Sequence, residues 1–373
     1  MATKLRRFTK RLLIVINVVA VISFLLACLA AYLDPQNWWF ISSLALGFPF
    51  LLVIVLAFLI WWIFIKVKWA IISGIALLLG IIGISHFYGF HIPASFKMQK
   101  EKNSIRVATW NVARFIEMKR NNNKGSQTRL KMMDLIREQN ADILCLQEFF
   151  HSTDNSYYAN IDYVRDKLHY PYYYFSQDDD GFPHLTGSII FSRYPIIDSG
   201  IIRYPRPTLP DALIHADIRV NNDTIRVYTT HLQSLQFGKN DYQKIDQIKG
   251  VEDSLLSNSR TIISKIKNAV INRSIQAYII GEVLDDSPYP LIFCADLNDV
   301  PNSYTYSKVR GDMQDAFLKK GGGIGRTFSA LSPTLRIDYI FAKEDFRVRQ
   351  FKRIIKDYSD HYMLVSDVQL KPK

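Results

Sequence analysis

The sequence predicts an α/β protein in which N-terminal apolar helices precede two packed mixed β-sheets flanked by helices. One observation behind this prediction is that residues 12–90 of the 373-residue chain are almost devoid of charge. A second is that, from His91 onward, apolar strands of alternating and continuous kinds are interspersed with amphipathic helices, which is typical of mixed sheets covered by helices. The part after the apolar stretch, about 280 residues, is long enough for one large core.

Positive charge is divided between the two parts of the chain. The net charge is +12, and residues 1–88 carry seven Lys or Arg side chains and one acidic side chain, which accounts for half of that charge. The other half allows an anionic substrate without requiring a nucleic acid. Because Cys28, Cys145 and Cys294 all lie in apolar runs, we expect buried free thiols rather than a disulfide framework.

Three apolar runs, Leu12–Leu33, Trp38–Ile65 and Trp69–Phe87, predict three transmembrane helices. At a rise of about 1.5 Å per residue, each run can cross a hydrocarbon core of about 30 Å. The first run is longer than the apolar part of a signal peptide, and two further runs follow it, so an uncleaved anchor is the favoured interpretation. The predicted membrane anchor therefore covers residues 1–90.

Lysine and arginine in the short loops predict the orientation of these helices. Five basic residues precede the first run, the loop Asp34–Asn37 has none, and Lys66 and Lys68 separate the second and third runs. This pattern predicts a multi-pass protein of the cytoplasmic (inner) membrane with a cytoplasmic N-terminus. A linker over residues 91–104 then leads to a periplasmic or extracellular domain over residues 105–373. The lipid bilayer is thus an expected partner, and the uncharged spans argue against transport.

Hydrophobic periodicity predicts the secondary structure of the soluble domain. Helices are expected over Arg129–Gln139 and Ser259–Val283. The aromatic run Tyr170–Phe175 is expected to be an edge strand, Gly321–Gly325 a flexible surface connection, and Gln236–Ser257 an inserted surface segment. The other predicted strands, of which the fourth and fifth form a hairpin, are Ile105–Trp110, Ile143–Leu146, Ser188–Phe191, Ala212–Val220, Thr224–Thr230, Leu291–Ala295, Arg336–Phe341 and Met363–Leu370.

Polar side chains cluster at the ends of these strands, where the chain leaves or enters the sheets. Taken singly, an Asn or Asp after a strand is usually a turn former or a helix cap, and one His beside apolar residues is more often structural than catalytic. Six such positions in a single domain are difficult to explain as independent caps. They are Asn111, Glu148, His231, Asp296 with Asn298, Asp338, and Asp360 with His361.

Six short motifs contain these residues, namely Thr109–Val112, Leu146–Glu148, Thr230–Leu232, Asp296–Asn298, Arg336–Ile340 and Ser359–Tyr362. As a set they resemble the endonuclease/exonuclease/phosphatase superfamily, and the resemblance extends over residues 104–371. It implies a DNase I-like four-layer α/β sandwich and a metal-dependent phosphoric ester hydrolase. One departure is Ala295, which stands where the family commonly has Gly before the Asp-x-Asn element.

The resemblance also implies which residues hold the metal. Glu148 is expected to be the principal Mg²⁺ ligand, with Asn111 and Asp360 close to the metal and the phosphate. Mn²⁺ is an alternative ion, and no organic cofactor is expected. Mg²⁺ prefers oxygen ligands and keeps several waters, which suits a site with one or two carboxylates.

The remaining motif residues are expected to bind the phosphate and to move protons. By the same resemblance, Asp296 would orient or deprotonate the attacking water with help from the Asn298 amide. His361, held by Asp338, would bind and stabilise the phosphoryl oxygens. His231 would contact the phosphate and assist the leaving oxygen.

The predicted function is Mg²⁺-dependent hydrolysis of phosphoester bonds by an extracytoplasmic, membrane-tethered phosphodiesterase, nuclease or phosphatase. The alternative is a catalytically silent module that recognises phosphate at the membrane, but Glu148, Asp296 and His361 are all present, which favours an enzyme. The substrate stays open between nucleic acid and a phospholipid or inositol phosphate head group. Diester or monoester preference, metal number and oligomeric state stay open too, and no protein partner is evident.

Overall fold

The computed structural model describes residues 2–122, 124–179, 183–208, 211–235 and 255–372. Most of the predicted insertion Gln236–Ser257 lies outside these described residues, and the chain is helical from Leu255. The described residues form two compact units. The first, called the helical unit below, consists of residues 2–88, 255–274 and 300–307. The second, called the sheet unit, consists of the described residues within 89–235, 275–299 and 308–372.

The apolar N-terminal segment forms five helices: α1 (Ala2–Leu29), α2 (Pro35–Leu44), α3 (Phe48–Ile65), α4 (Val67–Leu79) and α5 (Ile81–Phe87). Two stretches, Leu5–Leu29 and Pro35–Ile65, are long and apolar enough to cross a membrane. The third predicted span is not one straight helix, because α4 and α5 meet at an angle of 60°. Together they are a candidate for a third, broken span.

Gly80 lies between α4 and α5 and is packed against α1. A methyl group at this position would lie 2.6 Å from two ring carbons of Phe24 on α1, so only glycine lets the ring approach this closely. Phe24 belongs to a buried apolar core together with Phe48 and Phe87. The helices also share one polar link, because the Ser73 hydroxyl donates a 2.9 Å hydrogen bond to the Asn17 side chain, which satisfies both groups inside the bundle.

The strands run in chain order as β1 (Gly89–Phe90), β2 (Ser104–Asn111), β3 (Ile143–Ser152), β4 (Tyr172–Phe175), β5 (Asp178–Asp179), β6 (His184–Ser192), β7 (Ile196–Arg203), β8 (Ala212–Val220), β9 (Asp223–His231), β10 (Leu291–Asp296), β11 (Gln314–Asp315), β12 (Gly322–Gly323), β13 (Asp338–Ala342), β14 (Phe346–Ile354) and β15 (Met363–Leu370). The later helices are α6 (Thr128–Gln139), α7 (Asn160–Lys167), α8 (Leu255–Asp285), α9 (Tyr304–Arg310) and α10 (Ala316–Lys320).

The longer strands form two mixed sheets. The first has the order β14-β15-β2-β3-β6-β4, with β5 beside β6, and the second has the order β11-β13-β10-β9-β8-β7. The β2–β3 and β9–β10 pairs are parallel, and their neighbours pair antiparallel. The parallel pairs matter for the site, because their carboxyl ends lie side by side.

The two sheets pack face to face through strand residues that alternate between faces. Val107 and Cys145 of one sheet share a buried core with Ile214, Cys294 and other residues of the second sheet. The alternate residues, such as Ala108 and Leu144, pack with residues of α6 and α7 on the outer face. The predicted architecture, two packed mixed sheets flanked by helices, is thereby confirmed, and Cys145 and Cys294 are buried free thiols as expected.

The sequence pattern did not predict β7, β14 or α7. The prediction of a flexible surface connection at Gly321–Gly325 was wrong. The buried apolar residues of β14 are interspersed with charged side chains, of which Arg347 is exposed and the others are half-buried, and this hides the strand character of the segment. Gly322 and Gly323 are not a flexible connection, because they pair with β1. A methyl group at Gly322 would lie 2.4 Å from the His91 carbonyl oxygen, so glycine is required by this close approach of two backbones.

Candidate active site at the sheet edge

Strand ends of the first sheet place Asn111 and Glu148 next to each other. Asn111 is the last residue of β2 and lies beside Gln147 on the parallel strand β3. The pairing of β3 shifts between Leu146 and Phe149, and Glu148 in this bulge has a positive φ of 47°. Bulges re-aim side chains next to active sites, and the Glu148 side chain is 39% exposed although its strand neighbours are buried.

Strand ends of the second sheet bring three more predicted residues together. Asp296 ends β10 and lies between His231, which ends the parallel strand β9, and Asp338, which begins the antiparallel strand β13. Asn298 follows in a tight turn in which its backbone N–H donates a 2.8 Å hydrogen bond to the Asp296 carboxylate. Asn298 has a φ of 51°, a left-handed conformation that asparagine tolerates well.

The buried Asn111 side chain joins the two sheets. Its Nδ2 atom donates to Glu148 Oε1 and to Asp296 Oδ2, both at 3.0 Å. Its Oδ1 atom accepts the backbone N–H of Ala113 at 3.0 Å, which fixes the orientation of the amide. One amide nitrogen therefore holds two carboxylates, one from each sheet, within a small volume.

His231 lies against the same two carboxylates. Its Nε2 atom is 3.0 Å from Asn298 Nδ2, 3.6 Å from Glu148 Oε1 and 3.7 Å from Asp296 Oδ2. The Asn298 amide also donates to the Leu232 carbonyl at 2.9 Å. The imidazole is thus held where it can contact a group bound between the carboxylates.

His361 is paired with Asp338 across the two sheets. Its Nδ1 atom lies 3.1 Å from each oxygen of the Asp338 carboxylate and 3.6 Å from Asp296 Oδ2. Asp338 is itself held by Thr327, whose hydroxyl oxygen accepts the backbone N–H groups of Ile337 at 2.9 Å and of Asp338 at 3.1 Å. Because Nδ1 faces the carboxylate, Nε2 is the ring atom available to a substrate.

Neighbouring carboxylates keep both imidazoles protonated. Burial alone would lower the pKa of His231, but Asp211, Asp296 and Glu148 together raise it to about 10. Burial likewise opposes the charge on His361, and Asp338 and Asp296 raise the pKa of that ring to about 10. Burial raises the pKa of Asp338 to about 6, while the adjacent His361 acts in the opposite direction and favours the carboxylate. The site therefore offers two cationic donors to an anionic ligand.

Asp211 is a site residue that the sequence analysis did not identify. Its Oδ1 atom lies 3.8 Å from His231 Nδ1, and its charge helps to keep that ring protonated. The predicted hairpin contained the signal, because the register that pairs Ile214 with Thr229 puts Asp211 beside the end of β9. Asp211 directly precedes β8 and His231 ends β9, so the pairing of these two strands brings the two residues together.

Asp360 differs from the other predicted residues in its surroundings. Its side chain is exposed, and its link to the site runs through Ser359. The Ser359 hydroxyl lies 2.9 Å from the Asn111 carbonyl oxygen and 3.2 Å from Asp360 Oδ1. The structure thus places Asp360 beside the cluster, and its role as a metal ligand stays a prediction.

The donor set at this edge fits a hard divalent cation. Glu148 and Asp296 supply carboxylate oxygens around the Asn111 amide, which are the ligand types that Mg²⁺ and Mn²⁺ prefer. Asp296, Asp338 and His361 also lie close enough to share an ion, but both oxygens of the Asp338 carboxylate already face His361 Nδ1 at 3.1 Å. We therefore expect a cation on the side of Glu148, Asn111 and Asp296.

A second group in the described residues, Asp198, His215 and Asp217, also has metal-like spacing. Both oxygens of Asp217 are already paired with Arg226, at 2.6 and 2.7 Å. The positive guanidinium would repel a second cation at this place. The sheet edge around Glu148 is therefore the better metal site.

A sandwich of two mixed sheets with carboxylates and imidazoles at one edge has groups that could hold a divalent cation and a phosphoryl group. The comparisons with known proteins agree with this class. The chain matches the Endonuclease/Exonuclease/phosphatase family over residues 108–361, more than half of its length. It belongs to that family, and the predicted class of enzyme, a metal-dependent phosphoester hydrolase, is confirmed. Residues 10–87 match a domain of unknown function.

Several solved structures are similar to this chain, and the one with a TM-score of 0.50 supports the same fold. An endonuclease/exonuclease/phosphatase from Beutenbergia cavernae is 19% identical with a TM-score of 0.50, and the match covers 72% of each chain. The human Nocturnin catalytic domain with bound sulfate is 18% identical with a TM-score of 0.49, covering 72% of this chain and 94% of that one. A family protein from Bacteroides thetaiotaomicron is 14% identical with a TM-score of 0.48, covering 73% and 100%. No curated protein matches the chain significantly.

The support that Thr327 gives to Asp338 can be tested with two substitutions. In Thr327→Val the buried N–H groups of Ile337 and Asp338 lose their acceptor, so we expect the free energy of unfolding to fall by about 1–3 kcal/mol. Displacement of Asp338 should lower kcat for phosphoester hydrolysis by about tenfold to a hundredfold. Thr327→Ser keeps the hydroxyl and should stay close to the wild type in both measurements. Equal behaviour of the Val and Ser variants would contradict this role.

Proposed function

We propose that this chain is a Mg²⁺-dependent hydrolase of phosphoester bonds whose sheet unit is tethered to the outer face of the cytoplasmic membrane. The single observation that carries the proposal is the convergence of Glu148, Asp296, His231 and His361 around one point, with Asn111 between the carboxylates. Phosphoester hydrolysis needs an activated water, cationic groups at the phosphoryl oxygens and a fixed geometry. The sheet edge has a carboxylate that can activate a water, imidazoles that can face the phosphoryl oxygens, and hydrogen bonds that fix the geometry.

Asp296 is the group best placed to accept the proton of the attacking water. It is fully buried, and its two oxygens are oriented by the Asn298 backbone N–H and by the Asn111 amide. A carboxylate fixed in this way can align a water for in-line attack, which is the main requirement of the reaction. Asn298 adds a side-chain amide that donates to the Leu232 carbonyl and lies beside the His231 ring.

The two imidazoles would bind the charged oxygens of the phosphate. His361 can donate through Nε2 to a phosphoryl oxygen while Asp338 holds Nδ1. His231, with Asp211 on one side and Asp296 on the other, is protonated and can donate to the leaving oxygen. Donors arranged in advance stabilise the charge that develops in the transition state.

Mg²⁺ is the ion that we propose for Glu148 and its neighbours, with Mn²⁺ as a substitute. Asp360 would support the coordination from the first sheet, and Asn111, close to the metal, would orient the two carboxylates through Nδ2 while its Oδ1 accepts the Ala113 N–H. When bound, the cation supplies charge neutralisation at the phosphoryl oxygens. A site of one or two carboxylates suits an ion that keeps several of its waters.

The alternative function is a phosphate-recognising module without catalysis. The buried Asp296 argues against it, because a module that only binds an anion has no use for a buried carboxylate at the point of binding. The site residues do not choose between a nucleic acid and a phosphate-containing head group as substrate. Half of the net charge of +12 lies outside residues 1–88, which permits nucleic acid and equally permits a phospholipid or inositol phosphate head group.

Hydrolysis and its residue roles can be tested with the full chain in detergent micelles and bis(p-nitrophenyl) phosphate, a generic diester, in the presence of Mg²⁺. Asp296→Asn and His361→Ala should each lower kcat by about 10²-fold to 10⁴-fold, because each removes proton transfer or charge stabilisation. Chelation of divalent cations should abolish the activity, and Mn²⁺ should restore part of it. Glu148→Gln should weaken Mn²⁺ binding by about tenfold or more.

Asp134→Asn is the matched control, because it removes an exposed carboxylate in the ion pair of Asp134 with Arg137. It should retain wild-type activity. A wild type that is no faster than His361→Ala would exclude the enzyme and leave the binding module. With activity established, supercoiled plasmid, phospholipid vesicles and inositol phosphates would be compared to define the substrate.

The proposed orientation predicts which side of the membrane each cysteine probe faces. In intact spheroplasts a membrane-impermeant maleimide should label Asp134→Cys, at an exposed position on α6, without permeabilisation. Lys68→Cys, in the predicted cytoplasmic loop, should be labelled only after permeabilisation. The unsubstituted chain is the control, since Cys28 is half-buried and Cys145 and Cys294 are buried. The reverse labelling pattern would place the sheet unit in the cytoplasm.

A further inference from the structure

A buried arginine in the first turn of α6 is not used by the proposed reaction. Arg129 is 4% exposed, and its guanidinium carbon lies 4.1 Å from the centre of the Tyr158 ring and 4.8 Å from the centre of the Tyr163 ring. Its Nε atom donates a 2.6 Å hydrogen bond to Asn160 Oδ1, and Asn160 Nδ2 donates to the Phe150 carbonyl at 2.8 Å. Two rings and a buried amide therefore hold the guanidinium in one position.

The outer end of this guanidinium has no partner in the described part of the chain. Nε is the only side-chain nitrogen of Arg129 that donates to a described residue, and no described carboxylate forms an ion pair with it. The charge of Glu117 acts on Arg129, but this carboxylate already accepts the Thr128 N–H at 2.8 Å and the Ser126 hydroxyl. Buried charges are normally paired, so both NH₂ groups of Arg129 are available to an anion.

Arg129 lines a groove of about 470 Å³ between α6 and α7. Two further cationic side chains, Arg120 and Lys167, line the same groove. Arg120 is exposed, and its Nε atom donates to the Tyr157 carbonyl at 2.7 Å, which fixes the direction of the side chain. The groove thus combines one buried guanidinium with two cations at its rim.

The acidic side chains of the groove do not neutralise these cations. Asp162 and Asp166 line it, but both pair with Arg165 on the same helix, at 3.1 and 2.8 Å. Both carboxylates are also more than half exposed, so solvent and salt screen their charge. The groove therefore favours a negatively charged ligand.

The groove lies at the end of the first sheet that also carries two candidate active-site residues. Arg120 belongs to the loop after β2, which ends at Asn111, and Tyr158 belongs to the loop after β3, which contains Glu148. Because β2 and β3 are parallel, both loops leave the sheet from carboxyl ends that lie side by side. A phosphate-bearing ligand is the anion that suits this end of the sheet.

We propose that the groove is a second phosphate-binding site, with Arg129 as its anchor and Arg120 and Lys167 at its rim. A guanidinium in a fixed position can donate to two oxygens of one phosphate group, a geometry to which arginine is well suited. The phosphate comes either from the substrate, as a group beside the scissile one, or from free phosphate. The site goes beyond the proposed hydrolysis, because binding here requires no reaction.

The test follows hydrogen–deuterium exchange of the full chain in detergent micelles during titration with inorganic phosphate. Phosphate should slow exchange in peptides of residues 124–131 and 157–167. Arg129→Gln and Arg120→Gln should each raise the phosphate concentration needed by about tenfold or more, because each removes a charge-assisted hydrogen bond. Arg137→Gln is the matched control, since this exposed arginine of α6 pairs with Asp134. It should match the wild type.

Arg120→Gln keeps the test decisive if Arg129→Gln does not fold, because Arg120 is exposed. Exchange in the groove peptides that does not respond to millimolar phosphate in the wild type would overturn the site. Equal responses in Arg120→Gln and Arg137→Gln would overturn it too. Slowing confined to peptides around His361 would support phosphate binding by the catalytic residues and exclude the groove.

Steady-state kinetics separate the two sources of the phosphate. If the substrate supplies it, Arg120→Gln should raise KM about tenfold for a p-nitrophenyl diester that carries a second phosphate group, with kcat unchanged. Both constants for bis(p-nitrophenyl) phosphate should then stay at wild-type values. An unchanged KM for both esters, with the response to phosphate lost, would assign the groove to free phosphate. A wild type without hydrolytic activity would refute the proposed function, and the exchange measurement would still decide this site.

Discussion

The candidate site depends on one constraint, which is that side chains from two different sheets must meet at a shared edge. Asn111 of the first sheet donates to Asp296 of the second at 3.0 Å, and His361 of the first faces Asp338 of the second at 3.1 Å. Behind them the Gln147 amide donates to Thr229 across the sheets at 2.8 Å. These buried links are sensitive to the sheet-to-sheet distance, so the apolar core that sets this distance also sets the geometry of the site.

Electrostatics explains why so many charged groups can be buried together. The carboxylates raise the pKa of His231 and of His361 to about 10, so negative and positive groups alternate around the edge. Such a network is stable only while its members are fully paired. A divalent cation would add positive charge beside the carboxylates and an anionic substrate negative charge beside the imidazoles, which suits the family to which the chain belongs.

Much of the fold and the positions of the candidate site residues were predictable from the sequence, because strand ends carry a strong local signal. Met363–Leu370 was predicted with the bounds that the structure gives, and Asn111, Asp296 and His361 lie at the predicted edge. Contacts that depend on strand register or on tertiary packing were not predictable. Asp211 became visible only through the pairing of β8 with β9, and the need for glycine at position 80 follows from the Phe24 ring packed against it.

In the proposed mechanism a water held by Asp296 attacks phosphorus. The most direct measurement is hydrolysis of a phosphodiester in water enriched in oxygen-18, with mass analysis of both products. Attack at phosphorus should place one heavy oxygen atom in the phosphate product and none in the leaving alcohol, and the rate of incorporation should fall in Asp296→Asn. Heavy oxygen in the alcohol, or incorporation that does not depend on Asp296, would rule this mechanism out.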